Sequence, residues 1–199
     1  MARFLALGRL AVDFVHTGGE GWRARWETWD EPADLADWFA WSSLRTVDVV
    51  VSRADLGAAK SLREDLWGVF ETAVGSQPLP EGSVASMNAA AARPPLVPQL
   101  VGSRESEWKA ATVTAALSTI SRDAIELLAA RDRRLRQCAN PRCFIMFYDD
   151  SRPGTRRWCQ PNRCGDRLRA QAYRARHTAN AQPKENPDGH PVQGRVRRR

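Results

Sequence analysis

The strongest constraint on this chain is the placement of its cysteines. All four lie in one short segment, as two pairs with the same internal spacing, Cys138-x4-Cys143 and Cys159-x4-Cys164, separated by fifteen residues. Tetrahedral zinc takes four such thiolates at about 2.3 Å in a closed structural site. The binding free energy of the ion then stabilises a module too small to have its own core. The spacing therefore predicts one structural Zn²⁺ per chain on these four cysteines.

The sequence also allows other uses of these thiols, namely two disulfide bonds, buried free thiols or an iron–sulfur cluster. Clustering in one segment favours metal-bound thiolates in a reducing compartment over a disulfide framework. Catalytic zinc is disfavoured because four thiolates leave no open coordination position. His177 is an alternative ligand, although it lies more than three helical turns after Cys164.

The residues around the cysteines indicate the form of the module. The stretch between the two pairs predicts a hairpin that turns at Arg152-Pro153-Gly154, and the stretch after Cys164 predicts a helix. A knuckle, a hairpin and a helix in this order are typical of a treble-clef zinc finger. The side chains available as a miniature core around the metal are Phe144, Met146, Phe147, Tyr148 and Trp158.

Charge is divided unevenly along the chain. Residues 131–199 carry 18 basic against 6 acidic side chains, whereas residues 1–130 carry 12 against 17. One half therefore attracts phosphate and the other repels it. A basic block placed on a metal motif is typical of nucleic-acid binding.

The helix predicted after Cys164 repeats its arginines at two-turn intervals. Arg167 and Arg174 share one face, and Arg169 and Arg176 share a second face that we interpret as adjacent. Guanidinium groups suit phosphates and the guanine edge. The alternative is a solvated charged face that offsets the negative tetrathiolate centre. The predicted nucleic-acid contacts are Arg156, Arg157, Arg163, Arg167, Arg169, Arg174 and Arg176.

Hydrophobic periodicity predicts helices before the cysteines. Between Ser52 and Gly75, apolar residues form one stripe of a long amphipathic helix. Shorter helices are predicted within 30–44, 81–93 and 114–135, and a hairpin within 96–113 around Gly102-Ser103. The opening run through Leu10, Val12 and Phe14 fits a strand or a short helix, and periodicity does not decide between them.

Neither a membrane span nor an export signal is expected. Arg9 and Asp13 interrupt the apolar start, and no run approaches the roughly 18 to 20 apolar residues that a span needs. We therefore expect a cytoplasmic protein. Beyond His177 there is almost nothing apolar to bury, so a disordered arginine-rich tail is predicted over 179–199.

Two segments resemble known families. The stretch CANPRCFIMFYDDSRPGTRRWCQPNRCGDRLRAQAYRAR resembles the CGNR zinc finger, named for the motif at its last cysteine. Here the motif reads Cys164-Gly165-Asp166-Arg167, with aspartate replacing asparagine, which keeps the ligands but exchanges an amide for a negative charge. The stretch LAVDFVHT resembles the opening of the ABATE domain, which precedes this finger in bacterial stress-responsive transcription regulators. His16 stands where that family usually has asparagine.

The resemblance implies an α+β, predominantly helical protein in three parts. These are an ABATE-like ligand-binding domain over 1–132, a treble-clef finger with a basic helix over 133–178, and the tail over 179–199. It further implies that the finger binds DNA and that the first domain binds a small-molecule effector. We predict the effector site near Asp13, His16 and Thr17, where polar residues end an apolar run. The alternative is a loop in which the aspartate and threonine cap a turn.

The sequence thus supports two functions. The first is a DNA-binding transcription regulator, nucleoid-associated when bound to DNA and homodimeric through its N-terminal half. The alternative is a zinc-stabilised adaptor that binds protein or RNA without sequence-specific DNA binding. Enzymatic activity is not expected, because the sequence shows no nucleophile–base set, no phosphate loop and only three scattered histidines.

Overall fold

The protein is α+β and predominantly helical, as predicted. The computed structural model describes residues 4–45, 49–109 and 111–180, and for 178–180 it describes the backbone alone. None of the helices in this part combines the length and the apolar composition of a membrane-spanning segment. The helix after the last cysteine reaches Asn180, and residues 181–199 of the predicted tail lie outside the described residues.

Six helices and two small hairpins make up the described chain. The helices are α1 (Leu10–Val15), α2 (Pro32–Trp41), α3 (Arg53–Val74), α4 (Glu81–Ala91), α5 (Val113–Ala129) and α6 (Asp166–Asn180). A 3₁₀ turn at Gly21–Trp26 and a π-helical turn at Pro161–Gly165 complete the helical structure. The strands are β1 (Val97–Val101), β2 (Glu105–Lys109), β3 (Leu135–Gln137) and β4 (Met146–Tyr148), paired antiparallel as β1–β2 and β3–β4.

The opening segment is a helix, which settles the open alternative. Asp123 of α5 reaches the start of α1, where it accepts hydrogen bonds from the Ala11 amide and from the Arg9 side chain, both at 2.8 Å. A carboxylate at a helix N-terminus satisfies free amides and favours the helix dipole. The cap comes from a residue more than a hundred positions away, so local periodicity could not reveal it.

The helices predicted from periodicity are present. Ser52 caps α3 by accepting from the Asp55 amide, and the Asp55 side chain accepts from the Ser52 amide in return. This reciprocal capping box fixes the start of the helix. The predicted stop at Gly75 coincides with the C-cap, and the β1–β2 hairpin forms around Gly102 as expected.

Aromatic side chains build the centre of the core. The ring centroid of Phe14 lies 5.3 Å from those of both Trp29 and Trp38, and all three side chains are fully buried. Tilted and edge-on contacts of this kind stabilise beyond the area that they bury. The long helices α3 and α5 pack around this centre through Leu66, Val69, Phe70, Ala116, Ile120 and Ala124.

The core continues into the cysteine-bearing segment. Phe147 of β4 is fully buried in the same hydrophobic cluster, and the Tyr148 amide donates to the Leu7 carbonyl at 2.8 Å. Gly8 lies against Tyr148 with a φ of +102°, and a Cβ there would come 2.6 Å from the Tyr148 carbonyl oxygen. The two predicted parts therefore share one hydrophobic core.

The hairpin predicted between the two cysteine pairs is wrong. Strand β4 pairs with β3, which precedes it in the chain. The first cysteine pair therefore lies in the loop of the β3–β4 hairpin. The chain after β4 forms a loop that is held by Asp149. Its buried carboxylate accepts hydrogen bonds from the Ser151 and Arg156 amides at 3.1 and 2.7 Å. Burial opposes ionisation, but these hydrogen bonds and the charge of Arg136 lower the pKa of Asp149.

An ion pair lies inside the helical part. Arg63 is almost completely buried, and it binds both carboxylate oxygens of Glu27 at 2.8 and 2.6 Å. Its guanidinium carbon also lies 4.9 Å from the ring centroid of Trp29. The pair joins α3 to the loop that follows the 3₁₀ turn.

Replacing Arg63 by alanine should lower the free energy of unfolding by roughly 3 kcal/mol, because Glu27 would keep a partly buried charge and lose both short hydrogen bonds from Arg63, with only the Lys60 ammonium left, at 3.8 Å. The matched control is Arg53→Ala on the same helix, which breaks the exposed Arg53–Glu31 pair and should cost less than about 1 kcal/mol. Urea unfolding followed by circular dichroism measures both. Equal losses in the two variants would contradict the role of Arg63.

Candidate metal centre and nucleic-acid interface

The structure brings the four cysteines together. Their Sγ atoms all lie within 4.8 Å of one another, and the Cys143–Cys159 and Cys159–Cys164 sulfur distances are both 3.7 Å. Four thiolates at about 2.3 Å from a tetrahedral zinc ion are separated by about 3.8 Å. The spacing of the sulfurs therefore fits zinc, and it is too long for disulfide bonds of about 2.05 Å.

Each cysteine pair encloses a tight turn of similar construction. In the first turn, the Cys143 amide donates to the Asn140 carbonyl at 2.8 Å, and the Asn140 side chain accepts from the Arg142 amide at 3.0 Å. In the second turn, the Cys164 amide donates to the Gln160 carbonyl at 2.9 Å. A proline follows each acceptor residue and fixes the backbone there.

The pKa values of the thiols depend on one another. Hydrogen bonding with the Cys159 thiol lowers the pKa of Cys143 to about 5, although burial opposes this. The pKa values of Cys159 and Cys164 are raised, by the hydrogen bond with Cys143 in the first case and by burial in the second. Ionisation is therefore favoured at Cys143 and opposed at Cys159 and Cys164. A divalent ion that binds deprotonated thiolates supplies the compensating positive charge.

Three arginines donate hydrogen bonds to backbone carbonyls within the finger. Arg134 donates to the Asp149 and Ser151 carbonyls at 2.7 and 2.8 Å, and Arg136 donates to the Gly154 carbonyl at 2.7 Å. Arg156 donates to the carbonyls of Trp158 and Cys159 at 3.1 and 2.9 Å and lies over the Phe147 ring. Of the predicted nucleic-acid contacts, Arg156 is therefore engaged within the finger.

The remaining six predicted contacts are exposed. Arg157 lies over the Trp158 ring with 5.1 Å between the guanidinium carbon and the ring centroid, and Arg163 stands beside the last cysteine. The other four, Arg167, Arg169, Arg174 and Arg176, lie on α6. Within this helix, Arg169 forms an ion pair with Asp166, the residue that replaces the motif asparagine. Asp166 also places a negative charge at the helix start, where the dipole favours it.

Helix α6 projects from the finger. Among the residues whose side chains are described, Leu168 is its one partly buried position, and all others are exposed. Residues two apart lie about 200° apart around an α-helix. The Arg167–Arg174 and Arg169–Arg176 rows therefore lie on nearly opposite sides, not on adjacent faces as the sequence suggested.

Gly165 is required by packing. A Cβ at this position would come 3.0 Å from Cδ1 of Trp158, so even alanine would displace the indole. Its φ is not in the left-handed region, so the close contact with Trp158, and not the backbone conformation, is the reason for this glycine.

Comparison with known families identifies two matched segments. Residues 8–131 match the ABATE family, described as "Putative stress-induced transcription regulator", and residues 134–177 match the CGNR zinc finger. The chain belongs to the ABATE family. A search among curated proteins gave no match. Both matched families are regulator or zinc-finger families, not enzyme families.

The CGNR match and the cysteine cluster together show one structural Zn²⁺ ion, held by Cys138, Cys143, Cys159 and Cys164. His177 is not among the clustered ligands. It lies on α6, where its ring centroid is 4.1 Å from that of Tyr173.

In the ABATE domain, Asp13, His16 and Thr17 make contacts within the chain. Asp13 accepts from the Leu7 amide at 2.5 Å, and Thr17 donates to the Phe14 carbonyl at 2.8 Å. His16 Nε2 accepts from the Met146 amide at 3.0 Å, which joins the ABATE domain to the finger. The described part of the chain contains two cavities whose lining residues are known, and none of these three residues belongs to either lining. A shared effector site at this position stays a prediction.

Replacing Cys159 by alanine should abolish stoichiometric zinc binding and unfold the finger, because one ligand and one sulfur contact to each neighbour are lost. Zinc quantification on purified protein, with circular dichroism, measures both effects. Arg152→Ala, an exposed change in the same segment, is the control and should retain one zinc. A Cys159→Ala protein with its metal and full folding would contradict the ligand assignment.

Two partly buried groups should give opposite pH dependences. Burial lowers the pKa of His16 to about 3, so unfolding takes up a proton below about pH 6.5, and stability rises with pH up to that point. Burial and the charge of Asp123 raise the pKa of Asp13 to about 7, so this carboxyl loses stability as pH rises from about 4 to 7.

These two contributions should nearly cancel in the unaltered protein between about pH 4 and 6.5. His16→Gln removes the rising contribution, and its stability should fall with pH relative to the parent. Asp13→Asn removes the falling one and should do the reverse, by up to about 1.4 kcal/mol per pH unit each. Urea unfolding at several pH values, with zinc quantified throughout, gives the slopes. Parallel profiles for all three proteins would contradict this assignment.

Proposed function

We propose that this ABATE protein is a cytoplasmic, DNA-binding transcription regulator whose CGNR finger docks α6 on the duplex. The observation that supports this most is the form of α6, which carries four arginines and in which every described side chain except Leu168 is exposed. A helix that is polar all round gains little from packing within its own chain. Such a helix is suited to a partner of opposite charge.

The sides of α6 differ in a way that suits a groove. The side away from Leu168 is a ridge of Ala170, Tyr173 and His177 that carries no arginine, with Tyr173 59% exposed. One arginine row lies on each side of this ridge. A helix in the major groove presents one ridge to the base edges and its two flanks to the two phosphate strands.

The proposal assigns different tasks to these groups. The ridge reads base edges, while Arg167 and Arg174 meet one strand and Arg169 and Arg176 meet the other. Arg157 and Arg163 extend the cationic surface over the finger, and Arg156 holds the loop that carries them. The ABATE domain would sense an effector, for which Asp13, His16 and Thr17 remain one proposed location. A single finger gives modest specificity, so we include a homodimer in the proposal.

Removing one arginine from each row should weaken duplex binding comparably. Arg167→Gln and Arg176→Gln should each reduce the slope of log affinity against log salt by about 1, because each removes one phosphate contact. Tyr173→Ala should leave this slope unchanged and alter the sequence preference. Fluorescence anisotropy on duplex DNA at several salt concentrations measures affinity. Light scattering on the complexes gives the number of chains.

The matched control is Arg104→Gln, which removes the same charge from the exposed turn of the β1–β2 hairpin. It should bind as the parent does. If all three arginine variants behave alike, α6 is not the contact surface. If the parent prefers folded RNA or an acidic protein and shows no preference among duplexes, the adaptor replaces the regulator.

A further inference from the structure

A cavity lies where the linker between the ABATE domain and the finger passes the ends of α3 and α5. It is open to solvent and has a volume of about 240 Å³. An engineered protein cavity of about 150 Å³ holds benzene, so the space here admits an aromatic ring with a small substituent. Its exposed rim consists of Arg131, Asp132 and Arg133. Its buried or half-buried apolar floor consists of Ala73, Leu127, Leu128 and Leu135.

The two rim arginines have no partner among the described residues. Neither guanidinium group forms a hydrogen bond or an ion pair with them. Asp132, which lies between the arginines in the chain, is already engaged. Its side chain accepts from the Tyr148 hydroxyl at 2.9 Å and pairs with Arg134 at 3.7 Å. The rim therefore carries two cations whose charge is not offset by Asp132.

The backbone of the rim is strained. Arg131 and Arg133 both lie in the left-handed region, with φ values of +50° and +56°. Arg131 directly follows the C-cap of α5, a position where glycine is the usual residue because a Cβ is unfavourable there. The chain thus holds long cationic side chains over the cavity at two positions whose backbone favours glycine. Strained residues of this kind are concentrated at ligand clamps.

Helix dipoles give a competing reason for the two arginines. Both α3 and α5 end beside the cavity, and the C-terminus of a helix favours nearby positive charge. That role requires a cation near the helix ends, but it requires neither a cavity nor an apolar floor. An apolar lining with a few charged groups is the usual composition of a small-molecule site. The two roles give different results when the arginines are replaced.

We propose that this cavity binds a small carboxylate whose apolar body has about the size of a benzene ring. The body packs on the apolar floor, and the carboxylate lies between Arg131 and Arg133. A guanidinium group matches the two oxygens of a carboxylate with two parallel hydrogen bonds. An inorganic anion would leave the floor unused, and an uncharged molecule would leave both arginines without a partner.

The position of the cavity links the two parts of the protein. The ABATE match ends at residue 131 and the zinc-finger match begins at residue 134, so the rim is their junction. Arg134 then donates to the carbonyls of Asp149 and Ser151 in the loop after β4. An occupant would contact α3, α5 and β3 at once and would favour their docked arrangement. Binding of the carboxylate is inferred from the cavity, whereas its action as an effector rests on the proposed function.

Benzoate and its uncharged near-isostere benzamide are suitable probes, with zinc-loaded full-length protein and no DNA present. Calorimetry and ligand-observed NMR report binding. Benzoate should bind about fivefold more tightly than benzamide, because exposed ion pairs contribute modestly. The double variant Arg131→Gln/Arg133→Gln should bind the two probes equally. Ala73→Leu, which fills the floor, should weaken both probes by at least about fivefold.

Two further variants separate binding from folding. Arg131→Gly removes a cation and relieves the left-handed backbone, so it should weaken benzoate binding without lowering the unfolding temperature. Arg104→Gln removes an exposed arginine from the β1–β2 hairpin and should bind benzoate as the parent does.

Equal affinity of the parent for benzoate and benzamide, with rim variants that only lose stability, would assign the arginines to the helix ends and overturn the proposal. Binding of inorganic phosphate that survives Ala73→Leu, without binding of benzoate, would overturn it as well.

Adding benzoate to the duplex-binding assay, against sodium chloride of equal ionic strength, separates this inference from the proposed function. A change in DNA affinity that the double variant loses supports both. Specific benzoate binding with unchanged DNA affinity supports the cavity and contradicts effector sensing. DNA binding without any benzoate binding overturns the cavity and leaves the DNA-binding regulator in place.

Discussion

The finger depends on four sulfur atoms held within 4.8 Å of one another. A divalent cation offsets the repulsion between four thiolates, so binding of zinc stabilises the closed form of both cysteine turns. The first turn joins β3 to β4, and β4 carries Phe147 into the core of the ABATE domain. The second turn leads through Pro161–Gly165 directly into α6. One ion thus fixes the docking of the finger on the helical domain and the direction of its basic helix.

The features that the sequence predicted well are those with short-range physical causes. The zinc ligands follow from soft residues at a regular spacing, and α3 follows from its apolar stripe, its Ser52–Asp55 cap and Gly75. The β1–β2 hairpin follows from the turn at Gly102. In each case the deciding contacts lie within a few residues of one another. The local sequence pattern is then sufficient to predict the feature.

The features that the sequence missed are decided by distant partners. The cap on α1 comes from Asp123, and the loop after β4 is organised by the buried Asp149, neither of which differs in pattern from a surface acid. Arg63 and Arg156 appear as ordinary cationic residues in the sequence, yet Arg63 is almost completely buried and Arg156 donates to backbone carbonyls within the finger. A charged residue reveals its place only when the fold supplies its partner.

The account stands on the link between metal and DNA, so the most direct measurement compares zinc-loaded with chelator-stripped protein. Both samples are bound to a random-sequence duplex pool at two salt concentrations, and zinc is quantified in each. The account predicts one zinc per chain in the loaded sample, binding that weakens steeply with salt, enrichment of particular sequences, and loss of all this on stripping. Equal binding by the stripped protein, or a zinc-loaded protein that ignores DNA, would contradict it.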